Sequence, residues 1–317
     1  MKYGKTRWQP ALIGALGMGL VACGGAEESQ TSPDASGAAP AVGNDTSQAD
    51  VASDTVDALE LHVLNCGTIE VSDLDAFAMS GAYEGVSDTF TNTCWLVRHP
   101  QGDFLWDLGL PGLLARSEPQ ENGIFTVSLE QTLTEQLRAK GLTPEDIERF
   151  AISHLHFDHT GQVDQLADPV WLVHANEHAA MFPPVDSDGA VSEQATQFSP
   201  FERFETVMFT GEYDVFDDGS VVIFPTPGHT PGHTALQITL PETGPVLLSG
   251  DIYHRQESRI AQEVPRFNAD VEGVETDPGA RTLESMREFE ARADRLGAKV
   301  IIQHEPADID PLPAVMR

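Results

Sequence analysis

Residues 153–161 read Ser-His-Leu-His-Phe-Asp-His-Thr-Gly and place three histidines and an aspartate within six residues. Imidazole nitrogen and carboxylate oxygen are good ligands for zinc, at about 2.0–2.1 Å from the ion. The apolar run Phe150-Ala151-Ile152-Ser153 immediately before is expected to be a short buried strand. The polar cluster therefore emerges straight from a core. A surface loop that happens to be rich in histidine is the bland alternative, and the density of the cluster argues against it. In a loop leaving a strand, His154 and His156 can point the same way and grip one ion, while Asp158 and His159 turn toward a second. Any fold for this chain has to close further ligands around that loop.

Three later segments can supply them. Thr226-Pro-Gly-His229 follows the apolar run 221–224, Ser249-Gly-Asp251 follows 246–248, and His304 follows Ile301-Ile302-Gln303. In each the chain leaves a strand at its C-terminal end and presents a ligand at once. A carboxylate such as Asp251 has two oxygens and can bridge two ions, which two-metal hydrolytic sites hold about 3.5–4 Å apart.

The remaining pattern mixes strands and helices. Residues 59–64 alternate apolar and polar as a half-buried strand does, and a domain is expected to begin near Leu59. Runs at 93–98 and 104–108 flank His99-Pro-Gln-Gly-Asp103, a hairpin turn. Ser128 is expected to cap a helix carrying Leu129, Leu133 and Leu137 and ending at Gly141. Thr143-Pro144-Glu145-Asp146 starts a short helix with proline at its first position. Residues 170–173 form another strand. A late helix aligns Leu283, Met286, Phe289, Ala293 and Leu296 and stops at Gly297, and the last strand runs over 299–303.

The chain has 317 residues, with 18 basic against 50 acidic, a formal charge of −32. That excess excludes a phosphate-binding, nucleic-acid-binding surface and charge-driven docking on anionic lipid. It fits a self-repelling surface outside the cytoplasm, or one tuned to a cationic substrate. Lys2, Lys5 and Arg7 precede the short apolar run 11–20, which leads to Leu20-Val-Ala-Cys23. Charged start, short apolar run and small residues make an export signal. The last four residues resemble the bacterial lipoprotein lipobox. The resemblance implies a signal peptide at 1–22, a lipidated Cys23, and a cell-envelope location. In a Gram-negative host this would be the outer membrane or periplasmic face. Residues 23–58, poor in large apolar side chains, read as a disordered tether. Residues 59–317 are left as the catalytic domain. Cys66 and Cys94 can pair in an oxidising compartment or stand as two buried thiols. Neither lies in a metal-type cluster.

The His-x-His-x-Asp-His run at 154–159, Pro-Gly-His at 227–229, Gly-Asp at 250–251 and the late His304 together resemble the metallo-β-lactamase superfamily, over nearly all of 59–317. The resemblance implies an α+β fold, an αββα sandwich with two facing sheets, helices outside and metals at one edge. It implies two Zn2+ per chain: His154, His156 and His229 on the first, Asp158, His159 and His304 on the second, Asp251 bridging. Thr226-Pro-Gly-His-Thr-Pro-Gly-His233, Leu247-Leu-Ser-Gly-Asp-Ile-Tyr-His254, Leu64-Asn-Cys-Gly67 and Val264-Pro-Arg-Phe-Asn268 resemble N-acyl homoserine lactonases in particular. Those enzymes often carry a catalytic tyrosine three residues after the bridging aspartate. Here that place holds His254, and Tyr253 stands one earlier, so either is a candidate to assist the transition state.

The expected reaction is hydrolytic opening of a lactone, with Asp158 protonating the leaving oxygen. Thioester, phosphotriester and aryl-ester hydrolysis are the alternatives within the fold. Asp251 disfavours a typical β-lactamase. A non-catalytic metal-binding surface lipoprotein is the alternative outside catalysis. The expected partner is a small lactone or ester, with membrane contact only through lipidated Cys23. The oligomeric state is left open, a dimer included. His233 is expected to support the site rather than ligate, and His62, His99, His174 and His178 to be structural. Residues 182–209, with Phe198, Phe201 and Phe204, are either packing or the wall of an acyl-chain pocket.

Overall fold

The structure, a computed structural model, describes residues 58–185, 188–273 and 276–317. The signal peptide, Cys23 and all but the last residue of the tether lie outside the described residues.

Two sheets make the framework. The larger contains β1 (Glu60–Val71), β2 (Asp88–His99), β3 (Gly102–Trp106), β4 (Gln120–Asn122), β5 (Phe125–Ser128), β6 (Ile147–Ala151), β7 (Val170–His174) and β8 (Thr206–Phe209). The smaller contains β9 (Tyr213–Asp214), β10 (Val221–Pro225), β11 (Thr234–Leu240), β12 (Gly244–Leu248) and β13 (Lys299–Ile301). A last short strand, β14 (Val315–Met316), pairs with β1. The spatial orders are β4-β5-β1-β2-β3-β6-β7-β8 and β13-β12-β11-β10-β9. The helices are α1 (Leu133–Ala139), α2 (Phe157–Thr160), α3 (Ala175–Met181), α4 (Glu193–Gln197), α5 (Gln256–Ala261), α6 (Arg266–Glu272), α7 (Ala280–Leu296) and α8 (Pro306–Ile309).

The alternation of side chains along each strand explains the layering. Trp95, Val97, Phe104 and Trp106 face inward and meet Val221, Ile223, Leu236, Ile238, Val246 and Leu248 of the second sheet. Their neighbours Cys94, Leu96 and Leu105 face outward against Leu133 and Leu137 of α1 and Met181 of α3. On the far side Phe224, Ala235 and Leu247 are covered by Met286, Phe289 and Ala293 of α7. The result is the αββα sandwich. Each large side chain so covered contributes about 1.5–3 kcal/mol.

Several elements differ from expectation. The strands expected at 59–64 and 93–98 each run to 12 residues. Ser128 ends β5 instead of capping α1, because it pairs with Thr68 across the ladder. The cap is Thr132, whose hydroxyl and N–H exchange hydrogen bonds with the Glu135 backbone and carboxylate. Residues 144–146 form a 3-10 turn. Strand β3 stops at Trp106 because Asp107 turns to φ 63°. Phe198, Phe201 and Phe204 are core, with Phe204 4.9 Å from Phe150 and Phe201 4.8 Å from Trp171 between ring centres. That settles them as packing. Cys66 and Cys94 form a disulfide joining β1 to β2, with a Cα separation of 5.7 Å. Closing a loop of 28 residues this way stabilises by about 3–4 kcal/mol on the chain-entropy account.

Candidate metal centre

Four strands end beside one another at one end of the sandwich. β6 leads into His154, β10 into His229, β12 into Asp251 and β13 into His304. The two sheets are stitched together there. The Thr234 amide donates to the Ser153 carbonyl at 2.9 Å, and the indole N–H of Trp106 donates to Gln303 Oε1 at 3.2 Å. Gly228 precedes His229 at φ 145°, against Thr282, where a Cβ would not fit.

The structure brings all seven expected ligands together, in two groups that share Asp251: His154, His156, His229 and Asp251, and Asp158, His159, His304 and Asp251. In the first group His154 Nε2, His156 Nδ1 and His229 Nε2 lie 2.8–3.1 Å from one another. Asp251 Oδ2 lies 3.7 Å from His154 Nε2 and 3.4 Å from His229 Nε2. In the second, Asp251 Oδ1 is 3.2 Å from His159 Nε2 and 3.1 Å from His304 Nε2, with Asp158 Oδ2 3.6 Å from each. Four ligands arranged tetrahedrally at zinc distances stand about 3.3 Å apart. Both groups match that spacing.

The outer nitrogens of the histidines fix which nitrogen faces inward. His159 Nδ1 donates to Asp107 Oδ2 at 3.0 Å, His229 Nδ1 to Asn268 Oδ1 at 2.9 Å, and His304 Nδ1 to the Thr91 carbonyl at 2.8 Å. Ser153 Oγ accepts from His154 Nδ1 at 3.0 Å. Each of these rings therefore turns its Nε2 toward its group. His159 Nε2 and Asp251 Oδ1 are sealed from water and make no hydrogen bond. Buried polar atoms are rarely left so. These observations show a donor set that fits a pair of divalent cations and is compatible with a dizinc centre.

The charges agree. Burial and the surrounding histidines hold His154 and His229 well below the ordinary imidazole range. Burial also pulls His159 down, but Asp107, Asp251 and Asp158 overcome it and leave it well above. Burial would raise Asp251, yet His304, His159, His154 and His254 hold it well below the usual carboxylate range.

Tyr253 and His254 part company. Tyr253 is extended, at φ −135° and ψ 144°, so successive side chains point to opposite sides. Its ring joins the core under α7. Its hydroxyl donates to the Met286 carbonyl at 3.4 Å and accepts from Gln262 Nε2 at 2.9 Å. Tyr253 is therefore a packing residue, which corrects its expected part in the reaction. His254 turns the other way. Its Nε2 lies 3.2 Å from Asp251 Oδ2, its ring stacks on His304 at 5.6 Å, and its buried Nδ1 has no hydrogen-bond partner among the described residues.

His233 cannot ligate, because its Nε2 accepts from the Asp251 amide at 2.9 Å and its Nδ1 donates toward Thr226. It holds the Asp251 amide in place, where the sequence left it a supporting or packing residue. His62 pairs with Glu60, His99 with Asp218, and His174 caps α3.

Sequence reasoning missed Asp107, Asn268 and Gln303. Asp107 also accepts from the Ser153 amide at 2.6 Å and from Gln303 Nε2 at 2.9 Å. Gln303 Oε1 takes the Gly250 amide at 3.0 Å. Asp107 did carry a signal: like each ligand loop, Asp107-Leu-Gly109 directly follows a buried strand.

Residues 88–304 match the profile of the Metallo-beta-lactamase superfamily. The chain is 27% identical over 221 residues to an N-acyl homoserine lactonase, AttM, of Azorhizobium caulinodans, covering 67% of this chain and 81% of that one. Among solved structures it is similar to a quorum-quenching N-acyl homoserine lactone lactonase, with TM-score 0.64, 21% identity, and 82% and 97% of the two chains covered. It is also similar to AidC, a dizinc quorum-quenching lactonase, with TM-score 0.57, 18% identity, and 81% and 89% covered. At these identities the structures speak to the fold.

Proposed function

The chain belongs to the metallo-beta-lactamase superfamily, and from that premise we propose that it is a dinuclear zinc hydrolase opening the lactone ring of N-acyl homoserine lactones. The carrying observation is the pair of four-residue groups that share Asp251, one oxygen to each. His154, His156 and His229 would hold the first ion, Asp158, His159 and His304 the second, and Asp251 both. When bound, two such ions supply Lewis acidity: they polarise a carbonyl and make water nucleophilic near neutral pH. The AttM relative supports the lactone reading.

The protein's own groups then have distinct tasks. Water adds to the lactone carbonyl carbon, the ring C–O bond breaks, and the ring oxygen leaves as an alkoxide. Asp158, with one oxygen aimed at the second group and a little of its surface open, would take the proton that the adding water gives up and pass it to that alkoxide. The product is the N-acyl homoserine. His254 acts by fixing Asp251 rather than by touching substrate. Half-buried Phe157 and Phe125, 6.2 Å apart between ring centres, give an apolar flank for an acyl chain.

We propose also that the protein is exported and lipid-anchored at Cys23. The residues before Cys23 and the Cys66–Cys94 disulfide, a bond that persists in oxidising compartments, support this. Palmitate label absent from the protein in its native host would sink it.

Zinc-loaded protein is expected to release acid from short- and long-chain N-acyl homoserine lactones, and a chelator to abolish the release. Absence of turnover on both, in protein shown to hold two ions, would end the lactonase reading. Thioesters and phosphotriesters would then be the substrates to try.

A further inference from the structure

Glu177, in the first turn of α3, is 1% exposed and lies outside the seven. Its carboxylate is spanned by three donors. Oε1 accepts from the Leu155 amide at 2.7 Å and from Thr230 Oγ1 at 3.0 Å. Oε2 accepts from Thr230 Oγ1 at 2.8 Å and from the Gly232 amide at 2.9 Å. Leu155 stands between His154 and His156, and Thr230 and Gly232 follow His229. One carboxylate thus ties together the two loops that carry the three histidines of the first group. None of these bonds reaches the loops of His304 or Asp251.

The fit is close. Gly232 packs on the backbone of Glu177, where a Cβ would find no room. The donors are two amides and a hydroxyl, with no cation among them. Burial therefore pushes the carboxyl up to about 7. A buried charge held only by neutral donors is costly unless its bonds are needed. In the ionised carboxyl, its form above that pH, both oxygens accept and all the ties are made. Glutamine would aim an N–H2 at the N–H of either Leu155 or Gly232 and lose that tie.

We propose that Glu177 is a positioning residue for the first ion, setting the distance between the 154–156 and 229 ligands while leaving the second ion's ligands alone. The inference rests on reading those histidines as ligands, but not on the substrate. Its test is occupancy. Full-length wild type and Glu177→Gln are titrated with zinc, and anomalous scattering at the zinc edge gives the occupancy of each position in crystals. The expected result is a first ion bound about 10–100-fold more weakly with the second retained. Thr230→Val, which removes one donor and leaves the carboxylate, is expected to act in the same direction by less. It carries the test should Glu177→Gln not fold. Unchanged occupancy at both positions overturns the proposal, as does equal loss from both, which marks general destabilisation. Because occupancy is read without turnover, a failed lactone assay leaves the result intact.

Discussion

Asp107 and Glu177 are both sealed carboxylates behind the candidate metal centre, and they are satisfied by opposite means. Asp107 lies 3.0 Å from His159 and raises that imidazole's basicity, with the Ser153 amide and Gln303 filling its remaining lone pairs. Glu177 has two amides and a hydroxyl. The first orients a ligand directly, through its ring. The second orients ligands through the backbone of their loops. One group is thereby tuned in charge and the other in spacing. Asp251, the proposed bridge, is where the two schemes meet, its amide held by His233 and its oxygens shared between the groups.

The two halves depend on each other most at Asp251. Asp251→Ala removes an oxygen from each group and leaves five neighbouring histidines without their shared carboxylate. Both ions are expected to be lost, with activity down by at least about 10³-fold, more than loss of one transition-state donor. Elemental analysis of the purified variant checks it. Retention of either ion at full occupancy would mean that the groups are independent.

A second test separates the two carboxylates by pH. Glu177 has a folded pKa of about 7 against an ordinary 4.5. The folded chain therefore keeps a proton that the unfolded chain has already released. The contribution to stability is fully present below about 4.5 and is lost as pH rises toward 7, by on the order of 3 kcal/mol. Urea unfolding of the chelator-treated protein at pH 5 and pH 8 is expected to show this loss, and Glu177→Gln to lack that part of it. Equal losses in both proteins would show that Glu177 stays ionised throughout.

The ligand loops were legible because each follows a buried strand and carries a histidine or aspartate in a short polar burst. That placement says only that four strand ends converge to gather the set; the sandwich came with the family resemblance that the motifs carry. Glu177 was not legible. It is one acid among 50, and its partners are 22 to 55 residues away in sequence. The choice between Tyr253 and His254 depended on which of two adjacent side chains faces inward, which an extended backbone decides and a motif does not. Helix α1 was misplaced because Leu129, Leu133 and Leu137 share a spacing although Leu129 precedes the helix; the Thr132–Glu135 capping box was the better signal.

The smallest effect, and the most discriminating, is expected of Asp107→Asn. Asparagine tolerates the left-handed backbone at φ 63°, so the turn survives. Its amide oxygen can keep the Ser153 bond, but its N–H2 then faces His159 Nδ1–H and Gln303 Nε2–H, donor against donor. His159 loses its charge partner and is left with the Ser153 hydroxyl at 3.1 Å, and the second ion is expected to bind about 10–100-fold more weakly, the range typical for loss of a group that orients a ligand. The first ion keeps Ser153, Asn268 and Glu177 behind its histidines and is expected to be unaffected. Zinc titration with site occupancies would place Asp107→Asn and Glu177→Gln as mirror images, each loosening a different ion. Should Asp107→Asn instead loosen both ions alike, the division between a charge-tuned and a spacing-tuned half would fail, and Gln303, which touches Asp107 and the Gly250 amide together, would be the residue that couples them.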